Sequence, residues 1–231
     1  MSRSTTELIA EAKQITRQAD DGTRLINSVD FTVRPGDRLG IVGSSGSGKT
    51  VLLRALAALD SIQSGQLLHE GRAVSGAFVP EYRTRVVYLQ QRPTLFEGTV
   101  ETNLRKPFEL AVHRNRAFNR DRVVGWLERL DRDAGFLDKD QQNLSGGELQ
   151  IAALLRAIQL EPRALLLDEP TAALDAGATA AVERLVNQWT EQSTGAAFVW
   201  ITHDAEQAKR MCQSIYQMNA GELTKDTSWS T

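Results

Sequence analysis

Eight consecutive residues, Gly43-Ser44-Ser45-Gly46-Ser47-Gly48-Lys49-Thr50, fit the spacing G-x-x-x-x-G-K-[ST]. Glycines at these places let backbone N–H groups converge on phosphate oxygens without Cβ clashes, and a following helix presents its positive end. Lys49 can then reach the β- and γ-phosphates of a nucleotide, and the Thr50 hydroxyl can ligate Mg²⁺. The bland alternative is a flexible serine–glycine turn. At average residue frequencies, chance produces the pattern in such a chain with a probability on the order of one in a hundred. Chance loses. A lone phosphate loop specifies no more than an NTPase, since kinases, switches, motors and transporters all carry one.

A second group narrows the chemistry. Ala164 to Pro170 (ALLLDEP) is an apolar run ending in two adjacent carboxylates. At the C-terminal end of a strand, Asp168 can hold a Mg²⁺ shell while Glu169 faces an attacking water. The competing reading is a helix N-terminal cap, which Asp, Glu and Pro also suit. Beside a phosphate loop, catalysis is favoured. A third group, Leu144-Ser145-Gly146-Gly147-Glu148, precedes the helical run LQIAALLRAI. Ser145 is a good N-cap, and two glycines leave N–H groups open to an anion at a helix start. Blandly read, it is only a capped helix. A second phosphate-binding surface on a chain with one phosphate loop makes sense if it faces the ATP of another copy.

Elements of particular kinds must position these groups. Leu25 to Val33 alternates apolar and polar residues and stops at Arg34-Pro35-Gly36-Asp37, a strand entering a turn. Arg38 to Val42 is a short apolar strand running into the glycine loop, and Thr50 to Leu59 is an almost wholly apolar helix. Arg85–Leu89, Ala164–Leu167 and Ala197–Thr202 read as further core strands. Continuous apolar strands alternating with helical stretches predict a parallel sheet buried on both faces. Between Arg92 and Asn143 the chain turns charged and arginine-rich, which predicts a small inserted helical subdomain within one domain spanning 1–231.

Composition excludes several classes. Lys plus Arg is 27 against 29 Asp plus Glu, so no basic footprint argues for nucleic acid as a partner. The single cysteine, Cys212, rules out an internal disulfide and fits a reducing compartment as a small buried hydrophobe. The N-terminal MSRSTTELIAEAK lacks the apolar core of a signal peptide, and no window reaches the roughly 18 apolar residues of a membrane span. The expected location is cytoplasmic, with membrane contact only through a partner.

The ordered set GSSGSGKT, LSGGE, ALLLDEP, AALD and ITHD resembles an ATP-binding cassette (ABC) ATPase from about residue 8 to about 223. The resemblance implies an α/β P-loop NTPase fold: a mostly parallel sheet core, an antiparallel β subdomain and the helical subdomain at 92–143. It implies ATP and Mg²⁺ as cofactors, with Thr50, Gln91 and Asp168 around the metal and Glu169 and His203 as the catalytic pair. Gln91 is preferred to Gln90 because it lies two residues before Pro93, as in the family pattern. Ser145, Gly146 and Gly147 would contact the γ-phosphate of ATP held by a second copy, with Asp175 at the interface.

The implied activity is ATP hydrolysis driving a separate integral membrane permease, the protein sitting on the inner face of the membrane. The stretch Leu95-Phe96-Glu97-Gly98-Thr99-Val100 resembles the one that receives the permease's coupling helix. The phrase PTLFEGTVETNL is similar to small stand-alone bacterial ATPases, including those paired with proposed iron exporters. The runner-up is a soluble ABC ATPase such as a cluster-assembly scaffold. Gln213 to Leu223 resembles the cassette's closing strand pair, and no regulatory domain is expected after it.

Three positions depart from the family. Ala19 stands where an aromatic residue usually stacks on adenine, and no Tyr, Phe or Trp precedes Phe31. Arg17 is either a substitute lying flat on the base or a solvated arginine. Ile151 replaces a common arginine after LSGGE, while Arg156 matches a later one. The arginines at 114, 116, 120 and 122 read as a solvated face.

Overall fold

The structure is a computed structural model, and it describes residues 8–227. The first seven residues of the N-terminal stretch and the last four of the chain lie outside the described residues.

The elements in chain order are β1 (Ala10–Gln18), β2 (Arg24–Val33), β3 (Arg38–Val42), α1 (Lys49–Leu56), β4 (Ser64–His69), β5 (Arg72–Ala73), α2 (Val79–Arg85) and β6 (Val86–Leu89). After them come α3 (Val100–Arg105), α4 (Arg120–Arg129), α5 (Gly146–Ile158), β7 (Ala164–Asp168), α6 (Ala176–Gln192), β8 (Ala197–Ile201), α7 (Ala205–Met211), β9 (Ser214–Asn219) and β10 (Glu222–Lys225). The central sheet runs β10-β9-β3-β8-β7-β6, parallel except for β10. A second, antiparallel sheet runs β2-β1-β4-β5.

Side chains alternate along a strand, so each central strand feeds two cores. Leu165, Leu167, Phe198 and Trp200 face the core shared with α3, α4, α5 and α6. Leu166, Val199 and Ile201 face the other core, where Leu52, Leu53 and Leu56 of α1 pack against β1 and β2. The three leucines of β7 are fully buried, each contributing about 1.5–3 kcal/mol of transfer free energy. An aspartate at Leu166 would place an unpaired charge there and break the sheet. Among the described elements between β6 and β7 there are helices and turns but no strand, and only an isolated bridge joins Thr99 to Asp140.

The parallel register has one consequence for function. The C-terminal ends of β3, β8, β7 and β6 lie along one edge of the sheet. That edge therefore collects the phosphate loop after β3, His203 after β8, Asp168 and Glu169 at the end of β7, and Gln91 after β6.

Several boundaries differ from the sequence reading. α1 begins at Lys49 and ends at Leu56, short of Leu59, because Ala58 takes a left-handed φ of 53°. β8 starts at Ala197 as read, after a turn closed by Ala196 N–H to the Ser193 carbonyl, and ends at Ile201, one residue short of Thr202. Neither β4 nor β1 follows simple alternation. In β1 the pairing shifts register at three places, and Gln14 sits at φ 48°, so the inward–outward period is broken.

Candidate active site

Loop residues 43–48 span the gap between β3 and α1. Gly43, Gly46 and Gly48 hold φ of 151°, 77° and 108°, a region costly for any residue with a Cβ. Two of them are also fixed by close approach. A Cβ on Gly43 would sit 2.2 Å from the Met218 carbonyl oxygen, and one on Gly48 2.4 Å from that of Leu25. The β9–β10 turn completes the clamp, with Gly221 N–H donating to the Ser47 carbonyl at 3.0 Å. Lys49 is buried, and its Nζ donates to the Gly43 and Ser44 carbonyls at 2.8 Å each, so its charge lies over the loop. The buried Ser47 Oγ has no hydrogen-bond partner within the protein. Ser44, Ser45 and Gly46 are exposed at the tip.

Asp168 is the last residue of β7 and only 2% exposed. Burial pushes its carboxyl up, while hydrogen bonds from the Thr50 and Tyr88 hydroxyls pull it down. Thr50 thus meets Asp168 across the loop, and Tyr88 of β6 holds the other side at 2.9 Å. Burial and the Asp168 charge push the Tyr88 phenol up, so it stays a donor.

Glu169 breaks the strand with a left-handed φ of 46°, an uncommon backbone for a residue with a side chain. Its N–H donates to the Ile201 carbonyl at 3.1 Å, which ties the kink to β8. Glu169 Oε2 accepts from the Gln91 amide at 2.8 Å and lies 3.5 Å from His203 Nδ1. A carboxylate, an amide and an imidazole from three different strand ends converge there. His203 is open, with its side chain 75% exposed.

Ser145 caps α5 through a reciprocal capping box with Glu148, at 3.2 and 2.9 Å. Lys139 holds the Glu148 carboxylate at 2.6 Å, and its hydrogen bond is the first cause of a pKa brought down to about 2. Gly147 is a glycine for packing: a Cβ there would sit 2.9 Å from both the Ala173 carbonyl oxygen and Leu174 Cδ2. Asp175 caps α6, accepting from Ala178 N–H at 2.8 Å.

Residues 26–172 match the family model described as ABC transporter, a span that includes the phosphate loop, the signature and both carboxylates. The chain belongs to the ABC transporter family. It is an ABC ATPase by that membership. The chain is 37% identical over 201 residues to a protein named probable iron export ATP-binding protein FetA from Escherichia coli K12, with 87% of this chain and 88% of that one covered. It is 34% identical to ABC transporter I family member 17 of Arabidopsis thaliana, covering 91% of this chain and 79% of that one. In fold it is similar to the ATP-binding cassette MJ0796, solved as a dimer in a post-hydrolysis state with ADP and Pi. The TM-score is 0.84 at 23% identity, covering 94% and 97% of the two chains.

In this ABC ATPase, two residues outside the sequence reading support the site. Tyr88 steadies Asp168, and its signal is a phenol in a buried strand, which needs a hydrogen-bond partner. Gln150, 3% exposed, is the one polar side chain among the buried residues of α5. Arg17 is not simply a solvated arginine: it pairs with Asp60 at 3.6 Å and donates to the Ser61 carbonyl. Ala19 lies in the exposed turn joining β1 to β2, closed by Ala19 N–H to the Thr23 carbonyl at 2.9 Å. The supposed solvated arginine face is largely paired, with Arg120 on Glu101, Arg122 on Glu161 and Arg116 on the Leu160 carbonyl. Cys212 is partly buried rather than fully so, its Sγ facing Gly40, and burial pushes the thiol up to about 12.

Proposed function

We propose that this ABC ATPase binds Mg-ATP between two copies of itself and drives a separate membrane permease. The observation that carries the catalytic assignment is Glu169 Oε2, held by Gln91 and His203 beside the phosphate-loop edge. The loop N–H groups and Lys49 would grip the phosphates, with Gly43 to Thr50 as the binding segment. The Mg²⁺ reading is supported by the Thr50 hydroxyl lying near enough to Asp168 to pull its carboxyl pKa down against the effect of burial. Among the described residues no cluster of three or more His, Cys, Asp or Glu could cage a metal alone. That suits Mg²⁺, which takes few protein oxygens and keeps water and phosphate for the rest. When bound it would neutralise the phosphate charge, with Thr50, Asp168 and Gln91 as its protein neighbours.

Glu169 is the general base: it accepts the proton of the attacking water as the water oxygen bonds to the γ-phosphorus and the bond from that phosphorus to the β–γ bridging oxygen breaks, releasing ADP and phosphate. Gln91 and His203 orient that carboxylate and the water. Removing the base by Glu169→Gln lowers turnover about 10²–10⁴-fold while nucleotide stays bound. Ser145, Gly146 and Gly147 serve the ATP of the partner copy, so one chain holds half of each site. The chain from 92 to 143 would be the inserted helical subdomain, its described elements being short helices and turns.

The permease reading rests on a groove of about 680 Å³ between α2, α5 and the segment after Gln91. Of the four large apolar side chains most exposed among the described residues, Phe96, Leu110 and Val112 line it, Phe96 at 62%. Such a face suits an amphipathic helix from a permease. No helix among the described residues is long and apolar enough to cross a membrane, which supports a peripheral place on the cytoplasmic face through that partner. The likeness to the protein named for iron export supports a stand-alone ATPase with a metal-related permease.

Co-purification from detergent-solubilised membranes tests this. A polytopic partner captured by the wild type and lost in Phe96→Asp, with soluble ATPase activity kept, is expected. A soluble multiprotein complex instead would favour a cluster-assembly ATPase.

A further inference from the structure

Gln150 sits in the second turn of α5, five residues after Ser145, with 3% of its surface exposed. Its side chain bonds outside its own helix. Nε2 donates to the Gln91 carbonyl at 3.2 Å and to the Glu169 carbonyl at 3.3 Å. Oε1 accepts from Ala173 N–H at 3.1 Å. Both amide protons and one acceptor position are therefore used on two separate segments, the stretch at Gln91 and the turn from Glu169 to Ala173. Each segment carries a piece of the site. Gln91 places its own amide on the Glu169 carboxylate, and Glu169 is the residue with the left-handed backbone. Ala173 abuts Gly146 and Gly147, with its Cβ 3.5 Å and its carbonyl oxygen 2.9 Å from where their Cβ atoms would be.

The start of α5 and the backbone behind the base are thus one connected block. Any shift of the Ser145–Gly147 turn moves the Gln150 amide, and with it the Gln91 and Glu169 carbonyls. We propose that Gln150 is a positioning residue that couples the signature turn, which faces one ATP, to the general base that activates the water attacking the other. This rests on the two-copy reading above, in which a chain's signature turn and its own base serve different nucleotides. Gln150 touches no nucleotide in that arrangement, so it acts through Gln91 and Glu169.

A merely structural glutamine would lower stability and leave the shape of the ATP dependence alone. A coupling glutamine lowers kcat and cooperativity together and leaves the affinity of one chain for ATP unchanged. Gln150→Glu keeps the length and the acceptor for Ala173 N–H but turns the donor end into a second acceptor facing two carbonyls. Gln150→Met keeps the shape and loses all three bonds. ATP hydrolysis against ATP concentration, fluorescent-ATP binding to the monomer, and thermal unfolding would be measured for wild type and both variants. The expected result is a kcat about tenfold to a hundredfold lower, a Hill coefficient falling to near 1, and unchanged monomer affinity.

A folded variant with wild-type kcat and cooperativity would overturn the proposal, as would a kcat loss that only tracks the unfolded fraction. Should both variants fail to fold, hydrogen exchange on the wild type decides. ATP must protect residues 145–150 and 169–173 together, and independent protection sinks the coupling. Failure of the two-copy reading is distinguishable: the wild type would itself be non-cooperative, and Glu169→Gln would stay monomeric with Mg-ATP.

Discussion

The phosphate end and the base end of the site are built by different means. At the phosphate end the backbone does the recognising, and the fold fixes that backbone from several sides. Met218 crowds Gly43, Leu25 crowds Gly48, and Gly221 bonds the Ser47 carbonyl. At the base end the candidate surface is the turn from Ala19 to Thr23, where one side chain would decide the contact. The backbone of that turn is closed by its own hydrogen bonds and constrains no ring. A site made of backbone leaves glycines in the sequence, because only they fit. A contact made by one exposed side chain can be lost without cost to the fold.

The largest expected effect is at the loop. Gly48→Ala would force a Cβ against the Leu25 carbonyl at φ 108°, so the loop cannot keep its shape and ATP binding falls below detection in isothermal titration. Binding that survives at near wild-type strength would show that the loop tolerates a different backbone. A middle effect belongs to the base end. Ala19→Tyr adds a stacking surface worth about 1–3 kcal/mol and tightens ATP accordingly, while the wild type separates ATP from GTP by less than about tenfold. A strong wild-type preference for ATP in a competition assay would mean that adenine is held elsewhere. The smallest effect is that of Arg17→Ala, which removes a partly exposed pair with Asp60 and costs about 1 kcal/mol or less of stability in urea unfolding. It leaves the ATP to GTP ratio unchanged, since the guanidinium is committed to Asp60 and Ser61.

The same contrast explains what could be read from the chain. The loop, the carboxylate pair and the signature were legible because glycine, acid and cap residues stand where few alternatives fit. β3, β7 and β8 were legible from unbroken apolar runs. What escaped depends on partners distant in sequence. Gln150 bonds residues 59 and 19 positions away, and nothing local to α5 announces them. Arg17 looked free because its partners lie 43 and 44 residues on, in the turn before β4. The left-handed backbone of Glu169 also has no local signal, since a glycine would have been the expected residue there.

The central claim is that each chain holds half of two sites. Sedimentation velocity of Glu169→Gln with and without Mg-ATP tests it most directly, because the variant keeps the nucleotide that closes the pair. The account predicts a monomer without nucleotide and a dimer with Mg-ATP, carrying one ATP per chain and dispersing again in Ser145→Arg. A Glu169→Gln chain that binds ATP yet remains monomeric at high concentration would contradict it.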